Sequence, residues 1–191
     1  VFCTPFLTRP TAPYIAALEA SVPVIEAAGW THGLCFEVGN PYISGARSAM
    51  LRKALDAKAD VIVFIDHDVS WKPSDLLKLI QTEGDVVAGL YRFKKEEEHY
   101  MGVLDDDEGR VKVREDGAIK ATRVPAGFLK VTREAVNRFM KAYPHLLYGE
   151  PCAPSVDLFN HGPTLEGLHS LLDGVMADLG VERRDPMGVE P

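Results

Sequence analysis

Apolar and polar positions alternate between two periods along this chain. "VFCTPF", residues 1–6, is a short extended run closed by "TRPTAP", after which "TAPYIAALEASVPVIEAAGW" (11–30) carries its apolar residues at helical spacing. Pro13 near the start and Gly29 near the end follow the asymmetry of helix termini, and Pro23 predicts a kink. "GLCFEV" (33–38) predicts a second strand. "ISGARSAMLRKALDAKA" (43–59) predicts a second helix, with Ile43, Ala46, Met50, Ala54 and Leu55 on one face. The continuous apolar run "VIVFI" (61–65) reads as a buried strand, and "KPSDLLKLIQTEG" (72–84) as a short helix capped by Ser74 and ending near Gly84. "DVVAGLY" (85–91) is a fourth strand.

Strands that alternate with helices in this way imply right-handed βαβ units and a mostly parallel sheet buried on both faces. After residue 95 the character changes. "MGVLDDDEGRVKVREDGAIKATRV" (101–124) offers three short extended runs between Asp/Gly-rich turns, an antiparallel meander in which the acidic run 105–109 reads as a hairpin turn. "GFLKV" (127–131) returns as a strand and "TREAVNRFMKAY" (132–143) as a helix capped by Thr132. Beyond Pro144 only "LEGLHSLLDGVMADLG" (165–180) has helical periodicity. The expected fold is α/β and Rossmann-like: three α/β/α layers, a mixed, mostly parallel sheet and a small meander. One domain over 1–191 is expected, its halves at 1–95 and 96–145 followed by a tail over 146–191.

Composition narrows the function classes. With 191 residues, 46% hydrophobic and 26% charged, the chain has the proportions of one globular core. A net charge of -7 and a pI near 5.4 argue against a surface for duplex nucleic acid. Three cysteines, Cys3, Cys35 and Cys152, have no disulfide or zinc-ligand spacing and read as small core residues, which fits a reducing compartment. No apolar run approaches the ~20 residues of a membrane span, so a cytoplasmic location is expected.

The chemistry concentrates where the third strand ends. "VIVFIDHDVSW" (61–71) drives a buried strand into Asp66 and Asp68, and carboxylates there must reach water, a cation or a ligand. Side chains two apart on a strand point to one side, so both could serve one centre while His67 points away. Repulsion between them would be removed by a divalent ion with a taste for oxygen, Mg2+ or Mn2+. The plain alternative is an aspartate capping the next helix. The C-terminal edge of such a sheet is also where ligands bind in open α/β folds.

Here the chain resembles the GT-A fold nucleotide-sugar glycosyltransferases, of the family 2-like DxD type. The resemblance is carried by Thr4-Pro5 closing the first strand, "ISGARSAMLRKAL", "ADVIVFIDHDVSWKPSDLLKLI", "DVVAGLYRFKK" and "VPAGFLKVTREAV". It implies a UDP- or GDP-linked sugar donor, an acceptor of unknown kind, and a metal held by Asp66 and Asp68. Thr4, Pro5 and Glu37 would lie near the nucleoside and Arg47 near the diphosphate or base. Gly89 and Tyr91 either end a strand or let a sugar approach the backbone. Lys94 could clamp a phosphate, although Lys94 and Lys95 beside "EEE" also read as a solvated charge run. Gly127 reads as close backbone packing or as acceptor-site wall. His161 in "FNHG" could complete the metal shell. A catalytic base has no clear motif after "SVDLFNHG"; Asp157 and Glu166 are the candidates. That departure leaves a sugar-nucleotide-binding protein without turnover as a second reading. A haloacid-dehalogenase-like phosphatase, with Asp66 as nucleophile, and a nucleotidyltransferase stand behind it.

Overall fold

A computed structural model describes residues 1–91, 100, 102–107 and 110–159. The chain divides into two units, Val1–Phe159 and Asn160–Pro191, and all described residues belong to the first. Lys94, His161, Glu166 and the helical pattern at 165–180 lie outside the described residues.

The first half follows β1 (Phe2–Phe6), α1 (Ala12–Ala27), β2 (Leu34–Val38), α2 (Ile43–Asp56), β3 (Val61–Ile65), α3 (Pro73–Gln81) and β4 (Val86–Ala88). The second holds β5 (Val103–Leu104), β6 (Asp106–Asp107), β7 (Arg110–Val111), β8 (Ala121–Arg123), β9 (Phe128–Thr132), α4 (Arg133–Ala142), a 3₁₀ turn (Pro144–Leu146), β10 (Leu147–Tyr148) and β11 (Ser155–Val156). The main sheet has the order β2-β1-β3-β9-β4, with β1 parallel to β2 and β3, and β9 antiparallel to both its neighbours. The chain is thus α/β with a mixed, mostly parallel five-stranded sheet.

Alternation along the central strand builds the core on both faces. Ile62 and Phe64 of β3 join Cys3, Met50, Leu51, Leu129 and Val136 on the α2/α4 side. Val63 and Ile65 join Phe2, Tyr14, Leu18, Leu76, Leu79 and Phe128 on the α1/α3 side. All four side chains of β3 from Ile62 to Ile65 are buried, so the strand contributes roughly 1.5–3 kcal/mol for each large one removed from water. This is why it shows no polar alternation.

Local expectations hold where one residue decides them. Gly29 ends α1 with φ +86°, and the Thr132 hydroxyl accepts from Ala135 N–H at the start of α4; Thr11, a cap the sequence reading did not single out, accepts from the Tyr14 N–H. Pro23 lies inside α1, whose hydrogen-bonded span continues to Ala27. Several others need correction. The N-cap of α3 is Lys72 rather than Ser74: Asp75, at the third helical position, accepts the Lys72 N–H at 3.1 Å. Ile43 stays 37% exposed, and Leu51 takes the core position expected for it. Edge strand β2 is not buried on both faces, because Leu34, Phe36 and Val38 remain half exposed. Cys152 is exposed, Cys35 half-buried, and only Cys3 is core. The expected meander is nested: β5 pairs with β8, and between them the acidic run forms the β6–β7 hairpin. Most consequential for the site, β9 inserts between β3 and β4, and so sets Gly127 beside the end of β3.

Candidate functional site

Parallel β1, β2 and β3 all end at one edge of the sheet, and the loop after β3 is tied down there from three directions. Asp66 N–H donates to Gly127 O at 2.9 Å, the His67 carbonyl accepts from both the backbone N–H (3.0 Å) and the hydroxyl (3.1 Å) of Thr11, and Trp71 Nε1 donates to Ser21 Oγ at 2.9 Å. A turn closed by Val69 N–H to Asp66 O carries His67 and Asp68. The strand has already ended at Ile65, so strand alternation is not what relates the two aspartates. Asp66 instead lies with the phenol of Tyr91 against Gly127.

Tyr91 follows β4. Burial pushes its phenol above the ordinary range, the Asp66 charge pushes it further and Asp68 adds to this, while a Gly127 N–H and the Arg47 charge oppose. Four segments therefore meet: Asp66 after β3, Arg47 from α2, Tyr91 after β4 and Gly127 before β9, with the Asp68 charge near enough to act on the Tyr91 phenol. Arg47 Nη2 lies 2.7 Å from Asp66 Oδ1, with the two side chains 11% and 28% exposed. The guanidinium also sits over the Phe159 ring, 5.7 Å from its centroid, and Phe159 packs edge-on against Phe64. Arg47 Nε and the hydroxyls of its helix neighbours Ser44 and Ser48 are buried without hydrogen-bond partners. Such unsatisfied donors point to a missing water, ion or ligand.

Gly127 makes the crowding possible. A Cβ there would stand 2.6 Å from Asp66 Oδ2 and 2.9 Å from Tyr91 Cζ, closer still to the phenol oxygen. Gly89 has a core counterpart, since its Cβ would enter the ring of Phe128.

The other sequence candidates are distributed differently. Thr4 is fully buried and its hydroxyl bonds Tyr14 Oη at 2.5 Å, so it faces α1 rather than α2 and Arg47. Pro5 is buried and pairs in register with Glu37, which is ion-paired to Lys53 at 2.8 Å; both belong to the same sheet edge as Asp66. Asp157 follows β11, its N–H donating to Leu146 O, two residues before the ring that covers Arg47. Sequence reasoning missed Phe159, and it gave Gly127 no place beside Asp66. The available signal was a glycine immediately preceding a strand.

Below Glu37, Cys3 and Cys35 are partners in the β1–β2 register. Hydrogen bonding from Cys3 and the charge of Lys53 draw the Cys35 thiol down to about 7 against the opposing effect of burial, while Cys3 is pushed far up. Cys35 is accordingly expected to alkylate with iodoacetamide at a rate that rises through pH 7, and Lys53→Met to move that midpoint upward. Peptide-resolved mass spectrometry reads this directly. A Cys35 profile identical to that of exposed Cys152 would contradict it.

Among the described residues no helix is long and apolar enough to cross a membrane. Comparison with models of protein families, with curated proteins and with solved structures finds no match to this chain.

Proposed function

We propose that this chain is a metal-dependent glycosyltransferase that takes a sugar from a UDP- or GDP-linked donor. The observation that carries the proposal is the meeting of Asp66 with Arg47 and Tyr91 at the C-terminal edge of the central parallel strand, with Asp68 two residues on. The donor set fits a hard cation: two carboxylates beside a phenol, with oxygen as the only ligand atom. Among the described residues no three His, Cys, Asp or Glu side chains stand together, so a bound Mg2+ or Mn2+ would complete its shell with diphosphate oxygens and water. There it would supply Lewis-acid stabilisation of the departing diphosphate.

The chain's own residues account for the rest. Transfer breaks the bond between the anomeric carbon and the diphosphate oxygen, forms one to the acceptor oxygen, and sends the acceptor proton to a base. Arg47, which neutralises Asp66, carries the planar donor fork that phosphate recognition uses, and α2 starts at this same edge with its N–H groups leading. The hydrogen bonds that fix the loop after β3 hold the carboxylates in place before any substrate arrives.

The test is calorimetric titration with UDP, GDP and their sugar conjugates, in manganese and in chelator. Metal-dependent binding of one nucleotide is expected, and hydrolysis or transfer of its sugar separates an enzyme from a binding protein. Absence of binding to any of them in either condition would overturn the proposal and leave phosphatase substrates as the next assay.

A further inference from the structure

A large cavity opens on the α1/α3 side of the sheet, between α3, β4 and the β5–β8 segment. It encloses about 840 Å³, within the ~300–1,000 Å³ typical of small-molecule sites. Its walls are apolar: Trp71, Leu79, Val87, Ile119, Val124 and Phe128 all face it. Leu90, also on its wall, is 48% exposed, which is costly for a residue of this kind grouped with others unless something covers it.

Two features decide what that occupant is. First, the cavity adjoins the carboxylate site through Tyr91, which lines it together with Gly89 and Phe128 and whose phenol end lies against Gly127 beside Asp66. Second, its rim is not a naked basic field. Arg114 is held by Asp116 (2.7 Å) and Glu83 (3.6 Å), Lys120 by Asp105 (2.5 Å), and Lys78, Lys112, Asp75 and Glu83 also line the opening. A rim of mixed charge around a mainly apolar wall is a poor match for a polyanion. An uncharged ligand with an apolar body matches both features.

We propose that this cavity is the acceptor site, and that the acceptor carries an uncharged aryl or similarly bulky apolar group seated against Trp71, Val87 and Phe128, with its reacting hydroxyl directed past Tyr91 toward Asp66. The assignment rests on the glycosyl-transfer reading and adds the acceptor class to it. It also gives Tyr91 a role at the junction: its ring belongs to the apolar wall and its hydroxyl to the polar site.

The two tryptophans of the chain make the experiment simple. Trp30→Phe leaves Trp71, which lines the cavity, as the sole indole reporter. That protein is titrated with 4-nitrophenyl β-glucoside, whose ring quenches indole emission, and with methyl β-glucoside, which has the same sugar and no apolar body. Saturable quenching by the nitrophenyl glycoside alone is expected. Leu90→Asp, at a half-exposed wall position where an unfolding effect is small, should weaken it by about tenfold or more while nucleotide titration stays unchanged. Ile119→Asp, on the opposite wall, is the second variant and should act alike.

No saturable quenching, or quenching that both variants leave intact, would overturn the acceptor assignment while nucleotide binding continued to support the transferase reading. Quenching with no nucleotide binding would overturn the transferase reading and the acceptor role with it. A dimer in sedimentation that Leu90→Asp dissolves, with no glycoside response, would show a second copy of the chain as the occupant and overturn the proposal.

Discussion

Asp66→Ala is expected to abolish metal-dependent nucleotide binding, lowering affinity by roughly 100-fold or more, and to destabilise the fold at the same time. The two losses have separate causes. Binding fails because Asp66 is the one carboxylate fixed at the strand end by its own N–H bond to Gly127. Stability falls because Arg47, whose side chain is only 11% exposed, loses its ion-pair partner and already has an Nε without an acceptor. Breaking a fully buried pair costs ~3–5 kcal/mol; with Asp66 28% exposed and partly screened, about 1–3 kcal/mol is the expected loss. Adding Arg47→Met removes the stranded charge and keeps its packing over Phe159, so the double variant should recover much of the stability and none of the binding. Urea unfolding with calorimetry on the three variants measures both. Recovery of binding in the double variant, or no stability loss in Asp66→Ala, would show that the pair is not what organises this site.

The elements that were legible in the sequence are those decided locally. The run of Ile62 to Ile65 declares a strand buried on both faces, and Gly29 and Thr132 each fix a helix end through a single bond or backbone angle. The α/β class follows from such elements in order. The position of β9 does not, because its pairing with both β3 and β4 is a non-local choice that no periodicity within "GFLKV" encodes. Everything at the site that depends on that insertion was hidden accordingly. Asp66 and Asp68 stood out as polar residues ending an apolar run, but the strand ends at Ile65, and it is Tyr91 and Gly127 that meet Asp66 there. Thr4, which the resemblance sets near the nucleoside, has its hydroxyl bonded to Tyr14 of α1, a non-local contact that no pattern within the strand encodes.

Two glycines in the same neighbourhood should separate stability from function in opposite directions. Neither has the left-handed backbone angle that only glycine tolerates well, so an alanine at either acts through its added methyl alone. At Gly89 that methyl enters the ring of Phe128, a side chain 6% exposed, stacked on Trp71 at 5.6 Å and bonded through its carbonyl to Gly89 N–H. A buried ring wedged in this way cannot swing aside, and Gly89→Ala is expected to cost about 1–3 kcal/mol through overpacking. At Gly127 the methyl meets the ends of the half-buried side chains of Tyr91 and Asp66, which have more room to shift than a ring in the core. Gly127→Ala should therefore stay within ~1 kcal/mol of the wild-type stability, because the methyl meets Asp66 Oδ2 while Oδ1 keeps its bond to Arg47, and should weaken nucleotide binding by about tenfold or more, since the shifted Oδ2 leaves the metal position. Urea midpoints and calorimetric affinities on the two variants form a crossed pair of measurements. If Gly127→Ala unfolds early while binding normally, the crowding of Asp66 and Tyr91 around it is packing rather than the construction of a site.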